Sequence, residues 1–368
     1  MSIDREQPTD SGPLPSLAAG SPQPPSTHFD VALLDLDGVV YVGPDAVPGV
    51  PDALAAARKV GMRLAYVTNN AARTPEDVAR HLAEIGVPAE AGDVITSAQA
   101  AATVVAQRWG QGAKVLPVGG PGVAAALSAA GLTLVERAED LPVAVVQGYG
   151  RGVGWPQLAE AVVAVRNGAR HVATNTDSTI PSPRGPLPGN GAMVGVVRGV
   201  TGHDPLVTGK PDPAMHAECV RRTGAERPLV VGDRLDTDIE GARRAGAASL
   251  LVFSGVTDPA ALLAANPVHR PDLLSPDASG LLSPHPGVVA EGAGWRCGTW
   301  WAGSGDDGAL TLRAAGGAAS ATDDGLDGLR ALCVAHWRAH PDDGAPPTIS
   351  PVDDSARRAL DGWGLSGH

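Results

Sequence analysis

The chain has 368 residues, 43% of them hydrophobic and only 3% aromatic. That length suits about two domains whose cores are built from Val, Leu, Ile and Ala, and it excludes a chain disordered throughout. A formal net charge of −12 disfavours nucleic acid and anionic membrane surfaces as partners. No run of about 18 apolar residues is present to span a bilayer.

The cysteines are Cys219, Cys297 and Cys333, an odd count with no C-x-x-C pair. A disulfide framework and a cysteine-rich zinc site are disfavoured, and a cytoplasmic location is expected. Residues 1–28 are rich in Pro, Ser, Gly and Asp and lack an apolar h-region, so they read as a disordered tail and not a secretory signal. Phe29 to Asp37 is a short apolar run, as in a strand buried on both faces. Pro51 to Val60 has helical spacing. Arg63 to Val67 is a second strand, ending in Thr68-Asn69-Asn70. Thr74 caps a helix that opens with Pro75, with Glu76 and Asp77 in its first turn. This alternation continues to about Thr257 and predicts an α/β fold with a doubly wound parallel sheet.

Residues 112–202 carry strands and helices of their own. They read as a second domain inserted into the first, which is thereby divided into 29–111 and 203–267. Residues 268–294, dominated by Pro, Ser and Gly, read as a linker. Residues 295–368 read as a small α+β accessory domain. It has a hairpin around Asp306-Asp307-Gly308, a helix from Asp323 to His340, and a strand and helix between Ser350 and Gly362.

The chemistry starts at Asp35-Leu36-Asp37-Gly38, two carboxylates at the carboxyl edge of a buried strand, where open α/β sheets bind ligands. One can attack an electrophile while the other moves a proton. Asp233 ends a second strand and is followed by Asp236 and Asp238. Acids converging from two strands need a cation among them, and hard oxygen donors without His or Cys favour Mg²⁺. Thr68, Asn69 and Asn70 offer a hydroxyl and backbone N–H groups for phosphate oxygens. Lys210 is one of three lysines among 28 basic residues and sits between Gly209 and Pro211. That setting suits a compact charge facing carboxylates or a phosphate. Taken singly, each of these is also an ordinary turn or polar loop.

Together and in this order, DLDGVVYVGPDAVPGV, VTNN, TGKPDP and VVGDRLDTDIEGA resemble the four motifs of the haloacid dehalogenase (HAD) superfamily, class IIA branch, over Phe29 to Val256. The resemblance implies a HAD-like Rossmannoid core with an inserted class II, type A cap. It implies Asp35 as the nucleophile forming an aspartyl-phosphate, and Asp37 as the acid that protonates the leaving alcohol and then activates water. Mg²⁺ would be held by the Asp35 carboxylate, the Asp37 backbone carbonyl and Asp233, with Asp238 in support. Thr68 and the Asn69 N–H would bind phosphoryl oxygens, and Lys210 would neutralise Asp35 and the phosphoryl group. The superfamily's ATPases carry Thr in place of Asp37, so hydrolysis of a phosphomonoester is implied.

The cap loop from Ala173 to Pro181 resembles the branch's substrate-facing loop, with Asn175 and Asp177 as the candidates. Thr176 stands where the branch often has Pro or Arg. Cap-mediated dimers are usual in the branch, which allows a homodimer. Composition and the extended tail resemble the glycerol 3-phosphate phosphatases of high-GC bacteria. Pyridoxal phosphate, phosphoglycolate, nucleotides and sugar phosphates are the alternative substrates. A non-catalytic phosphate-binding protein with a vestigial core is the alternative of another class.

Two further motifs compete. Val118 to Ala125 spells G-x-G-x-x-A after a strand, but Glu136 lies too early to close a dinucleotide fingerprint, and the glycines read as a tight cap turn. Arg313 to Ala318 mimics the R-x-x-G-x-A acyl-CoA loop of GNAT acetyltransferases. Asp323, Asp324 and Asp327 crowd the next segment against a pyrophosphate, so a truncated GNAT-like module without transferase activity is expected.

Overall fold

The computed structural model describes residues 15–180, 182, 184–305, 309–317, 322 and 324–366. The core is a six-stranded parallel sheet in the order Leu273–Ser275, Ala248–Val252, Pro228–Gly232, Val31–Leu34, Arg63–Thr68, Val94–Thr96. Every residue of Val31–Leu34 is buried, because alternate side chains enter separate apolar clusters on the two faces. Its neighbours are the strands that precede Asp233 and contain Thr68. Val31 pairs with Pro228 and Leu34 with Val231, so Asp35 leaves the sheet beside Gly232. The helix Pro75–Glu84 starts as its sequence directs: the Thr74 side chain accepts from the Asp77 N–H at 3.3 Å.

The inserted unit has its own five-stranded parallel sheet, ordered Leu206–Val207, Arg170–Ala173, Ala144–Gln147, Lys114–Val118, Thr133–Leu134. Its last strand lies beyond residue 202, so the cap's return to the core falls after Val207. The core helix Ser97–Trp109 buries Ala98, Ala101, Ala102 and Val105 in one cluster with Val115, Val123 and Leu127 of the cap. The glycine-rich turn is the joint. A Cβ on Gly122 would lie 2.3 Å from the Arg73 carbonyl, and one on Gly120 would lie 2.8 Å from the Ala72 Cα. Close approach of two backbones accounts for those glycines.

Two segments depart from expectation. Residues 268–294 are not a linker: Leu273–Ser275 is the sixth core strand, and Ala278 and Leu281 are fully buried in the core. The Pro- and Ser-rich composition hid a three-residue strand that its pairing with Leu250–Val252 and the burial of Leu273 and Leu274 stabilise. The tail is likewise packed where it is described. Leu17 is buried in an apolar cluster, and Ser21 and His285 exchange backbone hydrogen bonds of 2.8 Å. Residues 1–14 lie outside the described residues.

The C-terminal sheet runs Val289–Glu291, Gly294–Cys297, Trp300–Ser304, Leu310–Ala314, Ile349–Pro351, antiparallel but for the last pair. The helix Asp327–Ala339 covers it, and Asp354–Gly362 follows the last strand. The hairpin turn at 306–308, Ala318 and Asp323 lie outside the described residues. This domain shares an apolar cluster with the core: Ile239, Leu251, Leu262, Leu263 and Leu274 pack with Leu329, Leu332 and Cys333. Arg330, 1% exposed, pins the junction. It donates to Asp324 at 2.7 Å, to Asp327 at 3.1 Å and to the carbonyl of Leu274, on the core's edge strand, at 2.8 Å. Removing one partner of such a buried set leaves charge uncompensated. Arg330→Leu is therefore expected to lower unfolding free energy by about 3–5 kcal/mol in urea denaturation; a loss below about 1 kcal/mol would contradict this.

Candidate active site

Two strand ends bring the predicted acids together, Val31–Leu34 leading into Asp35 and Pro228–Gly232 into Asp233 and Asp238. Oxygens of Asp35, Asp233 and Asp238 all lie within 4.8 Å of one another. The Asp37 carboxylate stands outside that group. Asp233 is 0% exposed. Its Oδ2 accepts the Val256 N–H at 2.7 Å, while its Oδ1 is buried with no partner among the described residues. Two glycines make room for it. A Cβ on Gly255 would stand 2.0 Å from Asp233 Oδ2, and one on Gly38, at φ +89°, would stand 2.4 Å away.

Asp238 sits in a π-helical turn, Leu235–Ile239, and its Oδ2 accepts the Arg234 N–H at 3.2 Å. Lys210 bridges the cluster, with Nζ 2.6 Å from Asp35 Oδ1 and 2.7 Å from Asp238 Oδ1. Burial works against its charge, yet Asp238 and Asp35 together hold the ammonium well above the ordinary lysine range.

The acids respond to the same forces. Burial pushes Asp233 up to about 7, with Asp35 and Asp238 adding repulsion. Burial raises Asp238 to about 6 against the pull of Lys210. Asp35 is raised by burial and opposed by Lys210. Asp37 is also raised by burial, opposed by Lys210 and then Arg73. One ammonium does not balance this set. The orphaned Asp233 Oδ1 and an all-oxygen donor set without His or Cys fit a hard divalent cation such as Mg²⁺.

Thr68 is buried at the end of its strand, and its Oγ1 accepts the Asn70 N–H at 3.0 Å. Asn69 grips Lys210: its Oδ1 accepts the Lys210 N–H at 2.8 Å and its Nδ2 donates to the Lys210 carbonyl at 3.1 Å. Asn70 is exposed, and its Oδ1 accepts the Ala72 N–H at 2.9 Å, which shapes the loop. Asp177 approaches from the cap, with Oδ2 3.4 Å from Asn69 Nδ2. Asn175 of the same loop is engaged by the chain's own groups. It is 3% exposed, and its amide is turned onto the carbonyl of Asn69 at 2.7 Å and the N–H of Asp177 at 3.2 Å. Pro181 of that loop lies outside the described residues.

Sequence reasoning passed over several neighbours. Ser97, fully buried, donates to the Asn69 carbonyl at 2.7 Å. Ser254 donates to the Gly38 carbonyl at 2.6 Å. Arg73 and Tyr41 lie within electrostatic reach of Asp37. The Ser254-Gly255 pair after a strand next to the Asp233 strand was the legible signal for the second of these contacts. Ser97 gave none beyond a helix start.

In the C-terminal domain the R-x-x-G-x-A loop is tied down by the chain's own groups. The Ala314 N–H donates to Asp353 at 2.8 Å and the Ala315 N–H to the Thr299 carbonyl at 2.7 Å, while the Gly316 carbonyl accepts from Arg296 at 2.6 Å.

A parallel sheet that delivers a lysine-paired aspartate, a hydroxyl loop and two more acids to one edge suits phosphoryl transfer, where positioning and charge compensation dominate. Residues 32–133 match the Haloacid dehalogenase-like hydrolase family, and residues 207–281 match a second HAD-hydrolase-like family. Residues 297–365 match the GCN5-related N-acetyltransferase like domain. The D-glycerol 3-phosphate phosphatase of Mycobacterium tuberculosis (strain ATCC 25618 / H37Rv) is 44% identical over 343 residues, 92% of this chain and 95% of that protein. The acid sugar phosphatase of Staphylococcus aureus (strain USA300) is 38% identical over 232 residues, 62% of this chain and 88% of that one. The crystal structure of glycerol phosphate phosphatase from M. tuberculosis in complex with magnesium aligns with a TM-score of 0.83 at 43% identity, covering 93% of this chain and 99% of that chain. The 4-nitrophenylphosphatase of Thermotoga maritima aligns at 0.65 and 29% identity, covering 70% of this chain and 98% of that chain. The chain belongs to the haloacid dehalogenase-like hydrolases, and within them it is a phosphomonoester hydrolase. No helix among the described residues is long and apolar enough to cross a membrane.

The raised acids carry a consequence for metal binding. Below about pH 7 a divalent cation must displace protons from Asp233 and Asp238. Calorimetric titration is expected to show Mg²⁺ affinity climbing from about pH 5 to about pH 7 and levelling above. Affinity that is flat across that range would contradict this reading of the acids.

Proposed function

We propose that the protein hydrolyses small phosphomonoesters, glycerol 3-phosphate foremost, through a phosphoryl group carried on Asp35. The convergence of Asp35, Asp233 and Asp238 about Lys210 carries this reading. An Asp35 oxygen attacks phosphorus as the P–O bond to the alcohol breaks. Asp37, whose burial favours the protonated form, gives its proton to the departing oxygen. Asp37 then takes a proton from water as that water attacks phosphorus, releasing phosphate and restoring the Asp35 carboxylate. Lys210 compensates the charge of Asp35 and of the phosphoryl oxygens, while Thr68 and the Asn69 N–H bind those oxygens. Asp35, Asp233 and Asp238, with the Asp37 carbonyl, are the proposed holders of Mg²⁺, which supplies charge compensation when bound.

The cap, taken as residues 112–207, closes over the substrate, and Asp177 faces it. Glycerol 3-phosphate is favoured because the glycerol phosphatase relative spans the accessory domain too, whereas the acid sugar phosphatase matches over only 62% of this chain. Three free, buried cysteines support a reducing cytoplasm. The cap's exposed Trp155, Val196 and Val200 support a homodimer.

Specificity constants across glycerol 3-phosphate, sugar phosphates, pyridoxal phosphate, phosphoglycolate and nucleotides test the assignment. Glycerol 3-phosphate is expected to rank first, and a value well below several competitors would remove it. With Mg²⁺ present, Asp35→Asn is expected to lose turnover by roughly a thousandfold or more on every ester.

A further inference from the structure

We propose that Asn175 is a positioning residue through which the cap sets the phosphoryl-binding loop, and that it does not read the substrate. The inference rests on the phosphatase reading above and deepens it.

The cap holds Asn175 firmly. Its carbonyl accepts from Asn190 Nδ2 at 2.8 Å, and the same amide donates to the Gln147 carbonyl at 3.3 Å. Asn190 is 2% exposed and opens the helix Asn190–Thr201, so the anchor lies within the cap's own packing. From that anchor the Asn175 side chain reaches one core atom, the carbonyl of Asn69, at 2.7 Å. Ser97 Oγ, from the core side, donates to the same carbonyl at 2.7 Å. Two donors from different domains fix the orientation of that peptide group.

That peptide group joins Asn69 to Asn70, and its N–H donates to Thr68 Oγ1 at 3.0 Å, while the Asn69 side chain holds both backbone groups of Lys210, at 2.8 and 3.1 Å. Lys210 Nζ then contacts Asp35 at 2.6 Å. An unbroken series of hydrogen bonds and one lysine side chain thus links the cap helix to the nucleophile. There is little slack along it. A Cβ on Gly209 would lie 2.2 Å from the Thr174 carbonyl and 2.6 Å from Asn69 Oδ1.

The Asn175 amide is engaged by the chain at its nitrogen and its oxygen and is 3% exposed, so its placement favours holding the loop over contact with the alcohol. A change at Asn175 therefore alters the placement of phosphoryl-binding groups that every substrate shares. A displacement near 1 Å in such a site can cost about 100-fold in rate.

The test is steady-state kinetics with Mg²⁺ on glycerol 3-phosphate, a sugar phosphate and 4-nitrophenyl phosphate, with a melting curve for each variant. Asn175→Ala and Asn175→Asp are each expected to lower kcat by about 10–100-fold on all three esters, with KM within about threefold and the substrate ranking kept. Asn175→Asp preserves shape but not the donor, so it separates the hydrogen bond from packing. Ser97→Ala, which removes the core's donor to the same carbonyl, is expected to give the same uniform loss. A loss confined to glycerol 3-phosphate, with the aryl ester unchanged, would overturn the inference in favour of substrate contact. Wild-type kcat in Asn175→Asp would overturn it as well. A wild-type protein inert on all three esters would overturn the phosphatase reading and this inference with it.

Discussion

Several carboxylates crowd one sheet edge around a single ammonium, and the surrounding structure is arranged to keep them there. Asp35, Asp233 and Asp238 share a space under 5 Å across, with Lys210 as their one direct ion-pair partner among the described residues. Like charges at that spacing repel strongly in a partly dry site, which is why burial and mutual repulsion raise the acids, while the attraction of Asp238 and Asp35 holds Lys210 protonated against its own burial. The same imbalance suits phosphoryl transfer, where positioning and charge compensation outweigh covalent chemistry by the protein. The strain of the cluster is distributed. Gly38 and Gly255 give up side chains so that Asp233 can come close, and the Val256 N–H takes one of its oxygens.

A site so dependent on distance needs rigid supports, and each domain supplies one. The C-terminal domain packs its helix against the apolar side of the acid loop, where Ile239 follows Asp238 in sequence and joins Leu329 and Leu332 in one cluster. Arg330 and Arg270 fasten that packing with bonds to backbone carbonyls across the junction. The cap is fastened by its glycine turn against Ala72 and Arg73 and by the strand Leu206–Val207, which runs straight into Thr208, Gly209 and Lys210. Lys210 is thus a few residues from the cap sheet. Cap position and charge compensation are mechanically close.

Much of the site was legible because parallel β/α alternation sends every strand's carboxyl end to one edge, so acids and hydroxyls that end separate strands must meet there. Asp35, Thr68 and Asp233 follow from that rule, and Lys210 and Asp238 from motif order. Leu273–Ser275 escaped because a three-residue edge strand between Pro and Asp carries no period of its own; its neighbour makes it a strand. Leu17 escaped for a similar reason, one leucine in a polar stretch whose burial depends on a domain about 300 residues away. Asn175 is legible as a residue of the cap loop, but the partner of its amide is not. Sequence places it on a loop facing the cleft, whereas the turn of its amide back to Asn69 depends on packing between cap and core that no local pattern encodes. The glycines of Val118–Ala125 show the converse: a phosphate-like pattern that close packing of cap on core explains fully.

The central claim is that this cluster makes Asp35 a phosphoryl acceptor. Rapid acid quench during turnover of a labelled phosphomonoester, followed by peptide mapping, tests it most directly. The account predicts label on the peptide carrying Asp35 and on no other. Label on a different side chain, or turnover with no labelled peptide under conditions that trap acyl phosphates, would contradict it.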